Sequence, residues 1–535
     1  MKNISIPAVL FIVITGCQGG HPRIHSISPY IGSMGEPITI TGSFFGNERG
    51  ESFVTIAGAQ PTSTSYLYWQ DNEISFRTPE FGDAGLVHVH VRGRRSNGVL
   101  FANEATIPRQ VSQIRHGPQI TAINPTAGSV GSVVSITGTG FGSSRGNSGV
   151  FFSWTSVTPA AMPAEARIPE FTDVLESEFG YELWTDREIR VRVPDGAMSG
   201  SMGIHTTRDN SPFIYFDVIN RPGTKIFRDK RNYMISQTLS ITIGQAESPN
   251  TLYLWIPHPV ASASQRNIEL LSGNIEPFMA NHRETSLFKL DDLASNSEVR
   301  ISLTWRVEVF GVETTVQHQA IRQGTAQPNG FFTRSTDQIP SDNPRIRSLV
   351  TTIIAREQNP YLRSRRIYDW MLNELTFVSD QVDGDIFSVL DAKETDSYLA
   401  AMLFCTLLRA AGIPSQPVAG ILVSRNRQTM NHYWAEFWID SLGWIPVDPA
   451  MGANAVPAIF GIQADRAGFY FGNTDSQRIA FSRGFTSLSP MDPRGRTVTH
   501  NRSFSLQSPW EEVVGGIESY SSHWGGIIIT GIYVQ

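Results

Sequence analysis

The stretch from Asp396 to Asp448 predicts a helix and two strands in fixed order, and it constrains the fold more than any other part of the chain. Apolar residues recur at three- and four-residue steps from Ser397 to Gly412, which predicts a helix with a wide buried face that ends at the glycine. A β-rich run, Gln416 to Val423, comes next. The alternating segment His-Tyr-Trp-Ala-Glu-Phe-Trp then starts at His432, and Gly-Trp-Ile-Pro-Val leads into Asp448. We expect an α+β domain here.

Three motifs in this stretch carry a family resemblance. Helix–Gly-Ile-Pro, His-x-Trp-x-Glu and Gly-Trp-x-x-Val-Asp-Pro, in this order, resemble the core of the transglutaminase-like superfamily, over residues 365–452. The resemblance implies a papain-like arrangement, with His432 as the base and Asp448 as the acid that orients it. The family's nucleophile is a cysteine fifteen residues before the glycine of Gly-Ile-Pro, and Ser397 occupies that position. The thiol is therefore absent where the family's chemistry uses it.

Cys405 does not replace the missing thiol. It lies eight residues after Ser397, about 12 Å further along the predicted helix at ~1.5 Å per residue. Free cysteines of this kind usually pack as small apolar residues. We therefore predict that Cys405 belongs to the core.

The serine leaves two interpretations of the site open. A cysteine beside a histidine can rest as a thiolate, whereas a serine hydroxyl must lose its proton to the base during attack. Ser397, His432 and Asp448 still form a complete Ser-His-Asp set, so a hydrolase or acyl transferase acting on peptides or amides is one hypothesis. We favour the other, a degenerate cleft that binds a protein or peptide ligand without catalysis. Helix capping alone also accounts for Asp396 and Ser397.

The N-terminus predicts export and a lipid anchor. Residues 1–17 combine a lysine, an apolar stretch and Ile14-Thr15-Gly16-Cys17, which resembles a bacterial lipobox. The resemblance implies that lipid modifies Cys17 and tethers the protein to a membrane of the bacterial cell envelope. An ordinary signal peptide with cleavage nearby is the alternative. With only two cysteines in the chain, we predict no disulfide framework.

An internal repeat predicts two tandem β modules. Eleven positions between Pro22 and Gly46 recur 96 residues later, between Pro118 and Gly142. The repeated pattern resembles the IPT/TIG immunoglobulin-like module, over about residues 22–103 and 117–218. The second copy carries a net insertion of 19 residues, which we place at Pro159 to Glu178 and expect to form an exposed loop. Such modules suggest a third hypothesis, an envelope spacer or adhesin.

The remaining segments complete a multidomain prediction. Alternating strands predict a third β domain at residues 224–323, and residues 343–535 form the α+β transglutaminase-like domain with a C-terminal extension. The net charge of −6 offers no basic field for phosphates, so we expect no nucleic-acid partner. One histidine and one aspartate in the predicted site cannot fill a zinc site, and we expect neither a metal nor another cofactor.

Overall fold

The structure is a computed structural model of the 535-residue chain. It describes residues 20–33, 35–57, 59–78, 85–104, 117–156, 170–219, 222–321, 330–461, 463–500 and 502–534. The predicted leader and Cys17 lie outside these residues. The chain divides into two compact units, residues 1–115 and 116–535. None of the helices in the described ranges has the length and apolar character needed to cross a lipid bilayer.

The first unit is a β-sandwich, as the repeat predicts. One sheet has the strand order Arg23–Ser28, Pro37–Ser43, Glu73–Arg77, Tyr66–Trp69. The other has the order Ile31–Gly32, Val99–Asn103, Gly85–Val91, Phe53–Ile56, with Arg94–Arg95 paired to the third of these strands. Alternate residues of both sheets point inward and fill a single apolar core.

The second module has the same two-sheet plan. Its first sheet has the order Gln119–Asn124, Val133–Thr139, Glu188–Arg192, Tyr181–Trp184. Its second has the order Ala127–Gly128, Ile214–Val218, Gly200–His205, Gly149–Trp154, Glu170–Asp173. The immunoglobulin-like fold predicted for both modules is thus confirmed.

The repeated glycines have a steric explanation. A Cβ atom on Gly42 would lie 2.2 Å from the carbonyl oxygen of Arg23, and one on Gly138 would lie 1.9 Å from that of Gln119. The ring of the phenylalanine three residues later also occupies this space in each copy. Only glycine lets the first two strands of each module approach so closely.

The insertion in the second module differs from the prediction of an exposed loop. Residues 157–169 lie outside the described residues, but Glu170–Asp173 forms a strand that pairs with Gly149–Trp154 and widens the sheet. Glu178 is also largely covered, because it contacts Arg483 of the C-terminal domain. The prediction was wrong for Glu170–Asp173 and for Glu178, which gain backbone pairing and a buried partner that only the tertiary fold supplies, whereas residues 176 and 177 lie in an exposed turn.

The third β domain is built around one long strand, Gly223–Pro257. This strand pairs with Thr285–Asp291 and Glu298–Val316, and the latter also pairs with Gln265–Gly273. The C-terminal extension returns to the same sheet, where Glu511–Trp524 and Ile528–Val534 both pair with the long strand. Residues 525–527 separate these two strands, and the end of the chain completes the connecting domain. Smaller paired strands are Arg496–Val498 with Glu511–Trp524, and Thr486–Ser487 with Gln507–Ser508.

The C-terminal α+β domain packs helices against a four-stranded antiparallel sheet. The helices are α1 (Pro344–Ile354), α2 (Pro360–Glu374), α3 (Ile386–Ala392), α4 (Ser397–Ala410), α5 (Pro449–Gly452) and α6 (Arg466–Phe469). The sheet strands are β1 (Ser415–Val423), β2 (Thr429–Ile439), β3 (Gly443–Val447) and β4 (Arg478–Arg483), in the order β3-β2-β1-β4. Thr376–Phe377 and Glu394–Thr395 form a separate short parallel pair. The predicted helix, hairpin and fold class are confirmed.

Helix α4 is the centre of this domain's core. Its residues from Leu399 to Arg409 are buried, and they share one apolar cluster with α1, α2, α3 and the face of β2 that carries Ala435 and Phe437. An amphipathic pattern cannot account for burial on every side, so α4 is enclosed by the helices around it as well as by the sheet. This packing holds the N-terminus of α4 in a fixed position beside β2.

Candidate active site

Ser397 is the first residue of α4, and its neighbour Asp396 caps the helix. The Oδ1 atom of Asp396 accepts a hydrogen bond from the Leu399 N–H at 2.8 Å, which satisfies one of the free N–H groups of the first turn. Its Oδ2 atom accepts from the Val382 N–H and from Arg502. The cap is thus anchored at both oxygens, and Ser397 lies half-buried at the positive end of the helix.

Cys405 lies in the core, as predicted. Its side chain has no exposed surface, and burial raises the pKa of its thiol to about 12. A thiol that stays protonated at neutral pH is not a nucleophile. Cys405 therefore packs between the helices and takes no part in the site.

His432 and Asp448 form a direct, buried pair. His432 lies near the start of β2, and Asp448 follows β3 and caps α5. The Nε2 atom of His432 is 2.8 Å from Oδ2 of Asp448. The other oxygen, Oδ1, accepts from the Met451 N–H at 3.0 Å. The two residues that the motif pairs are thus joined by a hydrogen bond, with 1% and 0% of their side chains exposed.

Arg478, at the start of β4, joins this pair. Its Nη1 atom donates to the same Oδ2 atom of Asp448 at 2.9 Å, and its Nη2 atom donates to Asp475 at 3.3 Å. The guanidinium also lies 5.1 Å from the centre of the Trp434 ring. The Asp448 carboxylate is therefore shared between an imidazole and a fixed positive charge.

The ionisation of Asp448 follows from these contacts. Burial raises its pKa, but the hydrogen bond from His432 and the charge of Arg478 outweigh burial, so that the pKa of Asp448 lies below its ordinary value. The carboxylate is ionised at neutral pH. The sequence did not predict the role of Arg478, because nothing in the order of residues places it beside an aspartate 30 positions earlier.

Ser397 lies near this network without being bonded to it. The residues that follow the predicted nucleophile and base, Tyr398 and Tyr433, have ring centres 5.0 Å apart, so the N-terminus of α4 and the start of β2 are neighbours. Within the described residues, no hydrogen bond joins Ser397 to His432. The structure thus brings His432 and Asp448 together, and the catalytic role of all three residues stays a prediction.

A second buried charge network lies further along the sheet. Arg483 of β4 donates to Glu436 of β2 at 2.8 Å and also bonds Glu178 of the second β module. Burial lowers the pKa of Arg483, but the two carboxylates outweigh burial and raise it above its ordinary value, so the guanidinium stays charged. Glu436 thus helps to connect the four-stranded sheet to the second module through Arg483. Across the described ranges, no group of three or more metal-ligating side chains is placed to hold a metal ion.

Family models match both parts of the chain that resemble known families. Residues 347–449 match the model of the transglutaminase-like superfamily, a range that includes Ser397, His432 and Asp448. Residues 22–104 and 118–164 match the IPT/TIG domain model. These matches confirm the two resemblances found in the sequence.

Individual relatives are more distant. An uncharacterized protein of Haemophilus influenzae is 26% identical over 185 residues, which cover 28% of this chain, and the match spans about half (49%) of that relative's length. A solved structure from Cytophaga hutchinsonii, assigned as a cysteine protease, covers 58% of this chain and 92% of its own, with 16% identity and a TM-score of 0.34. SGBP-B from a xyloglucan utilization locus of Bacteroides uniformis covers 55% of this chain and 99% of its own, with 11% identity and a TM-score of 0.14.

Proposed function

Because the chain carries a transglutaminase-like core domain and IPT/TIG domains, we propose that it is a transglutaminase-like protein that binds a protein or peptide ligand at its cleft without turning it over. The observation that carries this proposal is the hydroxyl of Ser397 at the nucleophile position, with no hydrogen bond to His432 in the described structure. Attack by a serine requires a base within hydrogen-bond reach of its hydroxyl.

The surroundings of the base support the same proposal. In a Ser-His-Asp triad, the carboxylate stabilises the positive charge that forms on the imidazole. Here Arg478 donates to the oxygen of Asp448 that His432 also contacts. The fixed cation offsets part of the carboxylate's charge and repels an imidazolium at the same place. The carboxylate of Asp448 is therefore not available to His432 alone, as it is in that triad.

Access to the pair points the same way. The side chains of His432 and Asp448 are almost fully covered, whereas Ser397 is half-buried. A ligand therefore meets the end of α4 before it meets the base. Such a surface suits recognition of a peptide segment. A ligand can contact the His432 ring only if the residues that cover it move.

A fluorophosphonate probe tests the proposal. Such probes label a serine only when a neighbouring base activates it. We expect no labelling of Ser397 in the full chain, with Ser397→Ala as the matched control for labelling elsewhere. Labelling at Ser397 that disappears in His432→Ala would overturn the proposal.

Restoring the thiol gives a second measurement. In Ser397→Cys the remaining site is unchanged, and a thiolate does not need to transfer a proton during attack. We expect iodoacetamide to modify the introduced thiol, while Cys405 stays unmodified because burial keeps its thiol protonated. The wild-type chain is the matched control, and its modification at the cleft would show that another group is reactive there.

A serine hydrolase or acyl transferase on peptide substrates is the alternative function. The 2.8 Å hydrogen bond between His432 and Asp448 favours it, since a site that only binds has no need of an oriented base. Mass spectrometry of the chain after incubation with peptide thioesters distinguishes the two functions. A covalent acyl group on Ser397 would establish the alternative.

We also propose that the protein is exported and tethered to the bacterial cell envelope through lipid on Cys17. The support is the sequence at residues 1–17. Radiolabelled palmitate should enter the wild-type protein and should not enter Cys17→Ser.

A spacer or adhesin role of the β modules is tested by deleting residues 22–218. Unchanged partner binding after this deletion would rule that role out.

A further inference from the structure

An open groove lies beside the histidine–aspartate pair. It has a volume of about 560 Å³ and is lined by the start of β2, by the segment around Ile459 and by the C-terminal segment around Ile528. Three parts of the C-terminal unit that are distant in sequence thus meet here. The Thr429 hydroxyl donates to the Ile527 carbonyl at 3.0 Å, which fixes the C-terminal segment against β2.

One layer of side chains lies between the groove and the pair of His432 and Asp448. Met430 lines the groove, and strand alternation places its side chain on the same face of β2 as that of His432. Met430 and Phe460 pack in a cluster with Met451. The N–H of Met451 in turn donates to Asp448. A ligand lying in the groove is therefore held next to the elements that carry the pair.

The groove walls are apolar and exposed. Ile459 is 52% exposed and Ile528 is 60% exposed, although large aliphatic side chains are normally covered. Phe460 closes the floor between them and is buried. Two exposed aliphatic side chains facing one concave surface suit an aliphatic side chain of a ligand.

One side of the groove carries positive charge. Arg427 lines the groove, and Arg425 lies two residues earlier in the same loop between β1 and β2; both side chains are exposed. Arg427 donates to the carbonyl oxygen of Thr530, but in the described part of the chain neither arginine forms an ion pair with a carboxylate. Because the whole chain has a net charge of −6, two arginines without acidic partners mark this rim as a place for an anionic group.

We propose that this groove binds an extended acidic peptide, with an aliphatic side chain between Ile459 and Ile528 and a carboxylate against Arg425 and Arg427. The inference rests on the proposed function and adds the chemical class of its ligand. An extended segment fits because its side chains alternate, so that one residue enters the groove while its neighbour faces the rim.

Fluorescence anisotropy with the full chain tests the inference. The probe is a short fluorescein-labelled peptide of alternating leucine and glutamate. We expect it to bind, and we expect Arg425→Glu combined with Arg427→Glu to weaken binding about tenfold or more. Ile459→Ser combined with Ile528→Ser should also weaken it, because the apolar contact is lost. Two exposed residues elsewhere, altered as Arg208→Glu and Leu271→Ser, provide matched controls that should leave the affinity unchanged.

Two further probes sharpen the result. A peptide with lysine in place of glutamate should bind the wild-type chain at least about tenfold more weakly and should prefer the charge-reversed variant. Equal binding of both peptides, or equal effects of groove and control variants, would overturn the inference. Binding of phosphatidylglycerol vesicles through the same arginines, without binding of the peptide, would overturn it in favour of a lipid surface.

Failure of this inference is distinguishable from failure of the proposed function. If the peptide binds equally well to the wild-type chain and to the groove variants, the groove is not the binding site, but the proposed binding function still stands. Fluorophosphonate labelling of Ser397, together with peptide binding that depends on the groove, would instead establish the groove as the substrate site of an enzyme.

Discussion

Asp448 accepts hydrogen bonds from His432 and Arg478 through the same oxygen, and its other oxygen caps α5. Each contact is stronger when the carboxylate is ionised. The side chain is completely covered, so an uncompensated charge here would be costly. Asp448 thus holds the local structure together as well as orienting His432. Its substitution should therefore change both the stability of the chain and the environment of His432.

The stability of the protein should depend on pH through Asp448. Its pKa is lower in the folded chain than the ordinary ~3.9. The stabilisation is therefore complete above that ordinary value and is lost as pH falls through the folded pKa. Urea unfolding between pH 7 and pH 3 should show this loss, and Asp448→Asn should flatten the acid limb. Asp337→Asn, at an exposed position, is the control that should leave the profile unchanged.

Replacing Arg478 should be strongly destabilising. Arg478→Met removes the cation that faces both Asp448 and Asp475 and leaves two buried carboxylates without it. We expect a loss of about 3–5 kcal/mol in the free energy of unfolding. A double-mutant cycle with Asp448→Asn should give a coupling of about 0.5–3 kcal/mol. A coupling near zero would contradict the shared hydrogen bond.

At the scale of elements, the second β module packs against the sheet of the site. Val130 is paired through its backbone with Ser441, at the turn between β2 and β3. The Ser441 hydroxyl donates to that of Ser129 at 2.8 Å. Glu178 of the same module reaches Arg483 of β4. The module therefore acts as part of the support of β2 and β4 rather than as a free spacer.

The repeat supplies a matched pair of glycines that tests this packing. Gly131 has a φ of +86°, and a Cβ atom on it would lie 2.7 Å from the Trp438 ring, whereas its counterpart Gly35 has a φ of +81° and open space. Alanine at either position strains the backbone by roughly 1–2 kcal/mol. We expect Gly131→Ala to lower the free energy of unfolding by about 1–3 kcal/mol more than Gly35→Ala does, because Trp438 must move. Thermal unfolding followed by tryptophan fluorescence compares the two variants, and equal effects would contradict the docking.

The elements show which features the sequence could predict. Three features are local signals in the sequence: the spacing of apolar residues in α4, the alternation of β2 and the glycine at 412. Such signals were sufficient to predict the helix, the two strands and the pairing of His432 with Asp448. Arg478 and Glu178 carry no such signal, because their partners lie 30 and 305 positions away. The same holds for Glu511–Trp524, whose return to the connecting domain depends on long-range pairing.

For the whole molecule, the two compact units imply different consequences of truncation. Residues 1–115 form a unit of their own, whereas the second β module belongs to the larger unit. Removing residues 1–115 should leave the main thermal transition unchanged. Removing residues 1–218 should lower the midpoint of this transition by about 5 °C or more. The reason is that Arg483 loses a buried partner worth about 3–5 kcal/mol. In domains of ~150–250 residues, each ~1 kcal/mol of stability shifts the midpoint by about 2–4 °C. Differential scanning calorimetry of both truncations measures this, and Glu178→Gln in the full chain should reproduce part of the second shift. If the two truncations melt at the same temperature, the second module is a spacer after all, and the site sheet is stable without it.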